Sequence, residues 1–332
     1  MHGFAITGLG RAVPNTCRTS EQIDAQLGFK LGTTLARTGI ESRFTSTTET
    51  SATLGAVAAI RALQNAVTSP DEVDCLIAAY GTPDQALPFN AALLHRELGW
   101  AQDVKAFDVG ASCLSFLVAL EQAILRVQTG ASRCVVVVSA DIATFGLNWT
   151  SFESSAIFGD GAAACVVQRS DISQSSKWLA ESWLTLSHLA ESCKIPAGGS
   201  RFHPARLDVD SQKFLPLTHF HMEGATVFKA VRKILMPFLN ATVARAGINW
   251  DDLACVIPHQ ASALAITHLE RMLPIPCDRV VKVYQQLGNQ VAASLPTALC
   301  IAHEDKKFTR GSSILLVGTG AGLTMGAMVL KW

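Results

Sequence analysis

"GASRCVVVVSA", Gly130–Ala140, and "RGSSILLVGTG", Arg310–Gly320, follow one plan: a Gly/Ser turn, then an unbroken apolar run. A run without polar alternation reads as a strand buried on both faces. A second pair repeats the relation. "DEVDCLIAAYG" (Asp71–Gly81) and "DDLACVIPHQA" (Asp251–Ala261) each lead from an acidic turn into a short apolar strand. The spacing within each pair is about half the chain, too long for a solenoid and right for an internal duplication.

Helical segments lie between these strands. "NAALLHREL", Asn90–Leu98, stops at Gly99, and the apolar stretch Cys113–Thr129 stops at Gly130. A glycine just past the last helical turn is a common stop. "AAACVVQ", Ala162–Gln168, reads as a further buried strand. Strands alternating with helices predict an α/β fold with buried sheets. The halves are expected at residues 1–170 and 223–332. The polar, Gly- and Pro-containing segment 171–222 is expected to be a linker and an insertion near a pocket entrance.

Apolar residues make up 49% of the 332 and charged residues 16%, which suits a well-buried globular chain. The formal net charge is zero, so no basic footprint points to nucleic acid or an anionic membrane. No apolar run reaches the length of a transmembrane span, and the N-terminus enters a strand-like pattern directly. The chain reads as cytoplasmic. Its nine cysteines are scattered without a CxxC pair, which argues against a disulfide framework or a zinc site. Most are expected to be small core residues. His219 and His221, two apart near Cys193, lack a complete ligand set, and no metal site is assigned.

Three polar residues sit at or just beyond predicted strand ends: Cys113 in "GASCLSF", His259 in "IPHQAS" and Asn289 in "LGNQVAASLP". Ligands of α/β sheets bind outside the carboxyl ends of strands, so the three can converge. Taken singly, each has a structural reading: a buried thiol, a core histidine, a turn asparagine. Together they suit thioester chemistry. A helix N-terminus lowers a thiol's pKa, a thiolate attacks a thioester, and imidazole and carboxamide N–H groups stabilise an enolate oxygen. "FGDGAAA", Phe158–Ala164, lacks the GxxxxGK[ST] pattern and precedes a strand. It reads as a structural turn in which Asp160 satisfies backbone donors.

The ordered set "RTGIESR" (Arg37–Arg43), "AFDVGASC" (Ala106–Cys113), "IFGDGAAACVV" (Ile157–Val167), "EGATVFKAV" (Glu223–Val231), "IPHQAS", "GNQVAASLPTAL" (Gly288–Leu299) and "LLVGTGAGLTMGAMVL" (Leu315–Leu330) resembles the thiolase-fold condensing enzymes, specifically the β-ketoacyl-acyl-carrier-protein synthase III family. The resemblance covers nearly the whole chain. It implies two duplicated βαβαβαββ halves in a five-layered α-β-α-β-α sandwich, a homodimer and no cofactor. By the same resemblance Cys113 takes an acyl group from a thioester carried by CoA or acyl carrier protein. His259 and Asn289 bind the carbonyl oxygen of a malonyl thioester as it loses carbon dioxide. The backbone N–H groups of Cys113 and Ala321 form the oxyanion hole.

Some positions depart from the family pattern. Members that prime fatty acid synthesis hold the CoA adenine between a Trp and an Arg. Here no Trp precedes "RTGI" with its Arg37, and Phe152 stands near the place of the Arg. Ala265 replaces the Arg that follows the His motif, and Ser262 replaces its Asn. Loss of that cation removes a charge-assisted contact to an acidic carrier, worth roughly 1–3 kcal/mol. Arg201 and Arg206 are candidates to replace phosphate or carboxylate contacts. Leu87, before Pro88, lies where the family limits tunnel depth across its dimer. These departures suggest a specialised condensing enzyme. Two other readings stay open: transfer of the Cys113-bound acyl group to an alcohol or amine, and a non-catalytic partner subunit of a synthase.

Overall fold

The computed structural model describes residues 2–171, 175–207 and 211–332. Nine strands and six longer helices set the frame. In the first half these are β1 (Gly3–Ala12), α1 (Ser51–Ala66), β2 (Cys75–Ala79), α2 (Asn90–Leu98), β3 (Lys105–Val109), α3 (Ser115–Thr129), β4 (Cys134–Asp141) and β5 (Gly161–Ser170). In the second they are β6 (Lys177–Thr185), α4 (Gly224–Arg245), β7 (Leu253–Pro258), α5 (Ala263–Met272), α6 (Ser294–Glu304), β8 (Ser313–Gly320) and β9 (Thr324–Lys331).

The first sheet has the order β1-β5-β4-β2-β3 and the second β7-β8-β9-β6. Their pairings match. β2 runs parallel to β4, and β7 to β8. Each sheet then continues through two antiparallel pairs to β1 or β6. The place of β3 is reduced in the second half to one parallel bridge, Val256–Val280. The expected duplication is therefore present, with one strand worn down.

Alternation along the strands builds the layers. Val135 and Val137 of β4 and Ile314 and Leu316 of β8 face a shared central core with Phe116, Leu120, Leu295 and Leu299 of α3 and α6. Val136 and Val138 face the other way, against Ala59 and Leu63 of α1. Leu315 and Val317 face Leu239 of α4 and Leu269 of α5. Both faces of each sheet are covered, which is why these strands read as continuous apolar runs. The result is the α-β-α-β-α sandwich. Cys75, Cys134, Cys165, Cys255 and Cys300 are buried, as small core residues should be.

The polar segment 171–222 differs from its expected role as linker and insertion. Lys177–Thr185 pairs with β9 along its length and forms the edge of the second sheet. Its sequence "KWLAESWLT" has neither a long apolar run nor a regular alternation, and polar neighbours hide it. The rest of the segment includes a two-stranded ribbon, Cys193–Lys194 with His221–Met222. No helix among the described residues is long and apolar enough to cross a membrane.

Candidate active site

The start of α3 and the start of α6 are built alike. Ser112 and Val291 both take left-handed backbone, at φ 54° and 53°. Four residues after Ala111 and four after Gln290 stand Ser115 and Ser294. The Ala111 N–H donates to Ser115 Oγ at 2.8 Å, and the Gln290 N–H to Ser294 Oγ at 2.7 Å. Each serine satisfies a backbone donor that the turn would otherwise strand. Duplication therefore places Cys113 of the first half opposite Ala292 of the second.

Cys113 lies in the single 3-10 turn Ser112–Leu114 that leads into α3. It packs beside Ala143, Leu147, Phe158 and Val291, with Trp149 and Phe220 around them. Phe220 comes from segment 171–222 and packs edge-on against Phe158 at 5.1 Å, in the same cluster. Burial pushes the thiol up to about 12. Ser112 Oγ, 3.9 Å from Sγ, and the Ala321 N–H act in the opposite direction. The expected lowering by the helix start is thus outweighed: desolvation of the charged form dominates. The Cys113 N–H has no backbone acceptor among the described residues. Together with the Ala321 N–H it leaves two donors beside the sulfur.

His259 follows β7 and is 5% exposed. Its backbone N–H donates to Val317 O at 2.7 Å, which anchors it to β8. Its Nδ1 is buried without a hydrogen-bond partner among the described residues. Burial lowers the imidazole to about 4, so it is neutral at neutral pH. Gly318 lets His259 and Leu114, the residue after the cysteine, approach the same point of β8. A side chain there would meet His259 Cβ and Leu114 Cδ2, each at 2.8 Å. Only glycine lets both close on β8.

Asn289 precedes α6. Its Oδ1 accepts from the Val291 N–H at 2.9 Å and from Ser294 Oγ at 3.3 Å. Its Nδ2 then points the other way and donates to Ala261 O at 3.4 Å, two residues beyond His259. Buried glutamines lock both loops. Gln260 Oε1 accepts from Val283 N and Tyr284 N at 2.9 and 3.2 Å, and Gln290 Nε2 donates to Asp160 O at 3.1 Å. Asp160 also holds Ser46, Ala143 and Thr144, the structural part its turn predicts.

The family models described as 3-oxoacyl-[acyl-carrier-protein] synthase III and as its C-terminal part match residues 107–185 and 243–332. The beta-ketoacyl-[acyl-carrier-protein] synthase III of Allorhizobium ampelinum is 31% identical over 330 residues, 98% of each chain. That of Roseiflexus castenholzii is 34% identical over 332 residues, 99% of this chain and 98% of its own. The chain belongs to the 3-oxoacyl-acyl-carrier-protein synthase III family. The crystal structure of the Aquifex aeolicus synthase III superposes with a TM-score of 0.88 at 31% identity, covering 99% of this chain and all of that one. Xanthomonas campestris OleA shares the fold, with a TM-score of 0.86 at 20% identity.

Against this synthase III frame, the remaining candidates divide. Arg37 lies with its guanidinium 5.1 Å from the centre of the Phe152 ring, and Phe29 meets the same ring edge-on at 5.6 Å. These three form one aromatic and cationic group at the surface. Ser262 caps α5 through the Ala265 N–H at 3.2 Å, so the residue in the family's Asn position has a structural use here. Ala265 itself is half-buried beside exposed Leu264. Arg201 pairs with Glu191 at 2.8 Å, and Arg206 donates to Ser200 O at 3.3 Å. Neither arginine contacts Cys113, His259 or Asn289 among the described residues. Leu87 is 83% exposed and is not part of the cluster around Cys113 among the described residues. Gly318, Ser115, Ser294 and Phe220 went unread in the sequence. Only the repeated spacing of "ASCLS" and "QVAAS" carried a signal for the two serines.

Proposed function

We propose that this chain is a decarboxylating condensing enzyme. Cys113 Sγ attacks an acyl thioester from CoA or acyl carrier protein, and the donor thiol leaves. The Cys113 and Ala321 N–H groups receive the acyl carbonyl oxygen as it gains negative charge. A malonyl thioester then binds with its carbonyl toward His259 and Asn289. The carbon–carboxylate bond breaks, carbon dioxide leaves, and the electron pair becomes an enolate. Its carbon attacks the acyl-cysteine carbonyl, and the thiolate leaves as a β-keto thioester forms.

One observation carries this reading: His259 is a neutral imidazole, and Asn289, whose Nδ2 reaches the Ala261 carbonyl two residues from it, has its oxygen already taken. Asn289 Oδ1 is held by Val291 and Ser294, which leaves Nδ2 as the donor. His259, held at about 4, is a weak base and a good neutral donor. Two neutral donors suit an enolate. Acyl transfer to an alcohol or amine instead needs a base near neutrality, so this pair favours condensation. An intact set of all three residues disfavours a non-catalytic partner subunit.

A specialised substrate belongs to the same reading, supported by Phe152, Ala265 and Ser262 at the donor-contacting positions. A homodimer is supported by the exposure of Leu87 and Phe89. The test is carbon dioxide release from malonyl thioester in the presence of acyl-CoA or acyl carrier thioester. Release matched by β-keto product supports the proposal. Acyl-donor consumption with no release contradicts it.

A further inference from the structure

Asp141 ends β4 and is completely buried. Its carboxylate takes five hydrogen bonds. Oδ1 accepts from Gly81 N at 2.8 Å, Thr82 N at 2.7 Å and Thr82 Oγ1 at 2.8 Å. Oδ2 accepts from Ala292 N at 3.0 Å and Ala293 N at 3.3 Å. The first three donors belong to the turn after β2. The last two belong to the turn that opens α6.

The turn after β2 is tied in the other direction as well. Ser115 Oγ accepts from the Ala111 N–H and lies 2.8 Å from Tyr80 O and 2.7 Å from Ser112 O, which share its one hydroxyl hydrogen. A chain of polar contacts therefore runs from the start of α3, through residues 80–82 and Asp141, to the start of α6. Cys113 stands at one end and Asn289 at the other. Val291 fits into the same turn so closely that a side chain on Gly81 would meet its Cγ1 at 2.4 Å.

The duplication shows what Asp141 replaces. Cys113 corresponds to Ala292 by the matched serines and the matched left-handed residues. In the first half the Cys113 N–H has no backbone acceptor among the described residues. In the second half the corresponding Ala292 N–H is filled by the Asp141 carboxylate. One donor is kept for substrate, and its counterpart is spent on holding the helix.

We propose that Asp141 is a positioning residue that fixes the Asn289 carboxamide relative to Cys113, and so serves the malonyl half of the reaction rather than the loading of Cys113. Asn289 Oδ1 is held by Val291 N and Ser294 Oγ, in the same turn that Asp141 holds through Ala292 and Ala293. Release of that turn frees the carboxamide to move. The Cys113 side keeps its own support, Ser115 and the Ala321 N–H. Burial raises Asp141 to about 6, and its five donors oppose that shift, so they favour the charged form.

The inference rests on the condensing reading and is tested with Asp141→Asn, whose amide cannot accept from both donor groups at once. Two steps are read separately on the full-length protein. Loading of Cys113 from an acyl-CoA is followed by intact mass. Malonyl-dependent discharge of the loaded enzyme is followed by carbon dioxide release. Loading stays within about threefold of wild type, while discharge falls roughly tenfold to a hundredfold, the loss expected from a small displacement of a reacting group. Equal losses in both steps, or unchanged discharge, overturn the proposal. If Asp141→Asn does not fold, Thr82→Ala, which removes one of the five bonds, is read in the same way. A smaller loss confined to discharge supports the proposal, and an equal or absent loss overturns it. Wild type is the control that separates the two claims. Discharge in wild type with an unchanged variant counts against Asp141 alone, and no discharge in wild type overturns the condensing reading together with it.

Discussion

His259 and Leu114 close on β8 from two sides at Gly318, each 2.8 Å from the position an added Cβ would take. The residue after the cysteine and the histidine are thus set by one missing side chain. Gly318→Ala must push His259, Leu114 or both outward by several tenths of an ångström. The expected result is a fall in kcat of about tenfold or more, measured as β-keto product formation. The fold survives because the clash is local to the site, and unchanged kcat would contradict this geometry.

The thiol of Cys113 is pushed up to about 12, so little of it is thiolate at neutral pH. The rate of Cys113 acylation is expected to climb with pH through 9 and beyond, followed by intact mass at short times. A plateau below pH 8 would show that the start of α3 and the Ala321 N–H outweigh burial.

His259 links the site to stability. Its folded pKa is lowered to about 4 from 6.5, so between these values the unfolded chain holds more protons. Its stabilising contribution is present above pH 6.5 and is lost as pH falls to about 4. The shift corresponds to roughly 3 kcal/mol. Denaturant unfolding at pH 7 and pH 4.5 is expected to show a smaller acid loss for His259→Gln than for wild type. An equal loss in both would contradict the assignment.

Ser115 holds the Ala111 N–H on one side and reaches Tyr80 O on the other. Ser115→Ala leaves a backbone donor without its acceptor and is expected to cost about 1–3 kcal/mol. Slower loading of Cys113 should accompany that loss, and chemical denaturation together with an acylation time course checks both. Wild-type values in the two measurements would remove Ser115 from the account.

The sheets were legible because buried strands keep long apolar runs: β4 and β8 announce themselves, and their likeness exposed the duplication. β6 was not legible. It lies at an edge, breaks its apolar residues with Lys177, Glu181 and Ser182, and follows a polar stretch, so it read as linker. The three candidate residues and the elements that carry them were legible from their motifs, Cys113 and Asn289 before helices and His259 after a strand. Their electrostatics were not. The pKa of Cys113 depends on burial among Phe158, Phe220 and Leu147, which come from distant parts of the chain. Nothing in the sequence singled out Asp141, because its five donors lie in two turns far away in sequence. Arg201 and Arg206 were read as candidates for phosphate or carboxylate contacts, and the fold gives one Glu191 and the other Ser200 O.

The central claim is that Cys113 carries the acyl group and gives it up to a malonyl-derived carbon. The most direct measurement is the intact mass of the protein after incubation with acyl thioesters of several chain lengths, followed by a malonyl thioester chase, with Cys113→Ala alongside. The account predicts a mass gain of one acyl group on wild type, no gain on Cys113→Ala, and loss of the gain on the chase as a longer β-keto product forms. A full-stoichiometry gain on Cys113→Ala, or an acyl-enzyme that the malonyl thioester leaves untouched, would contradict it.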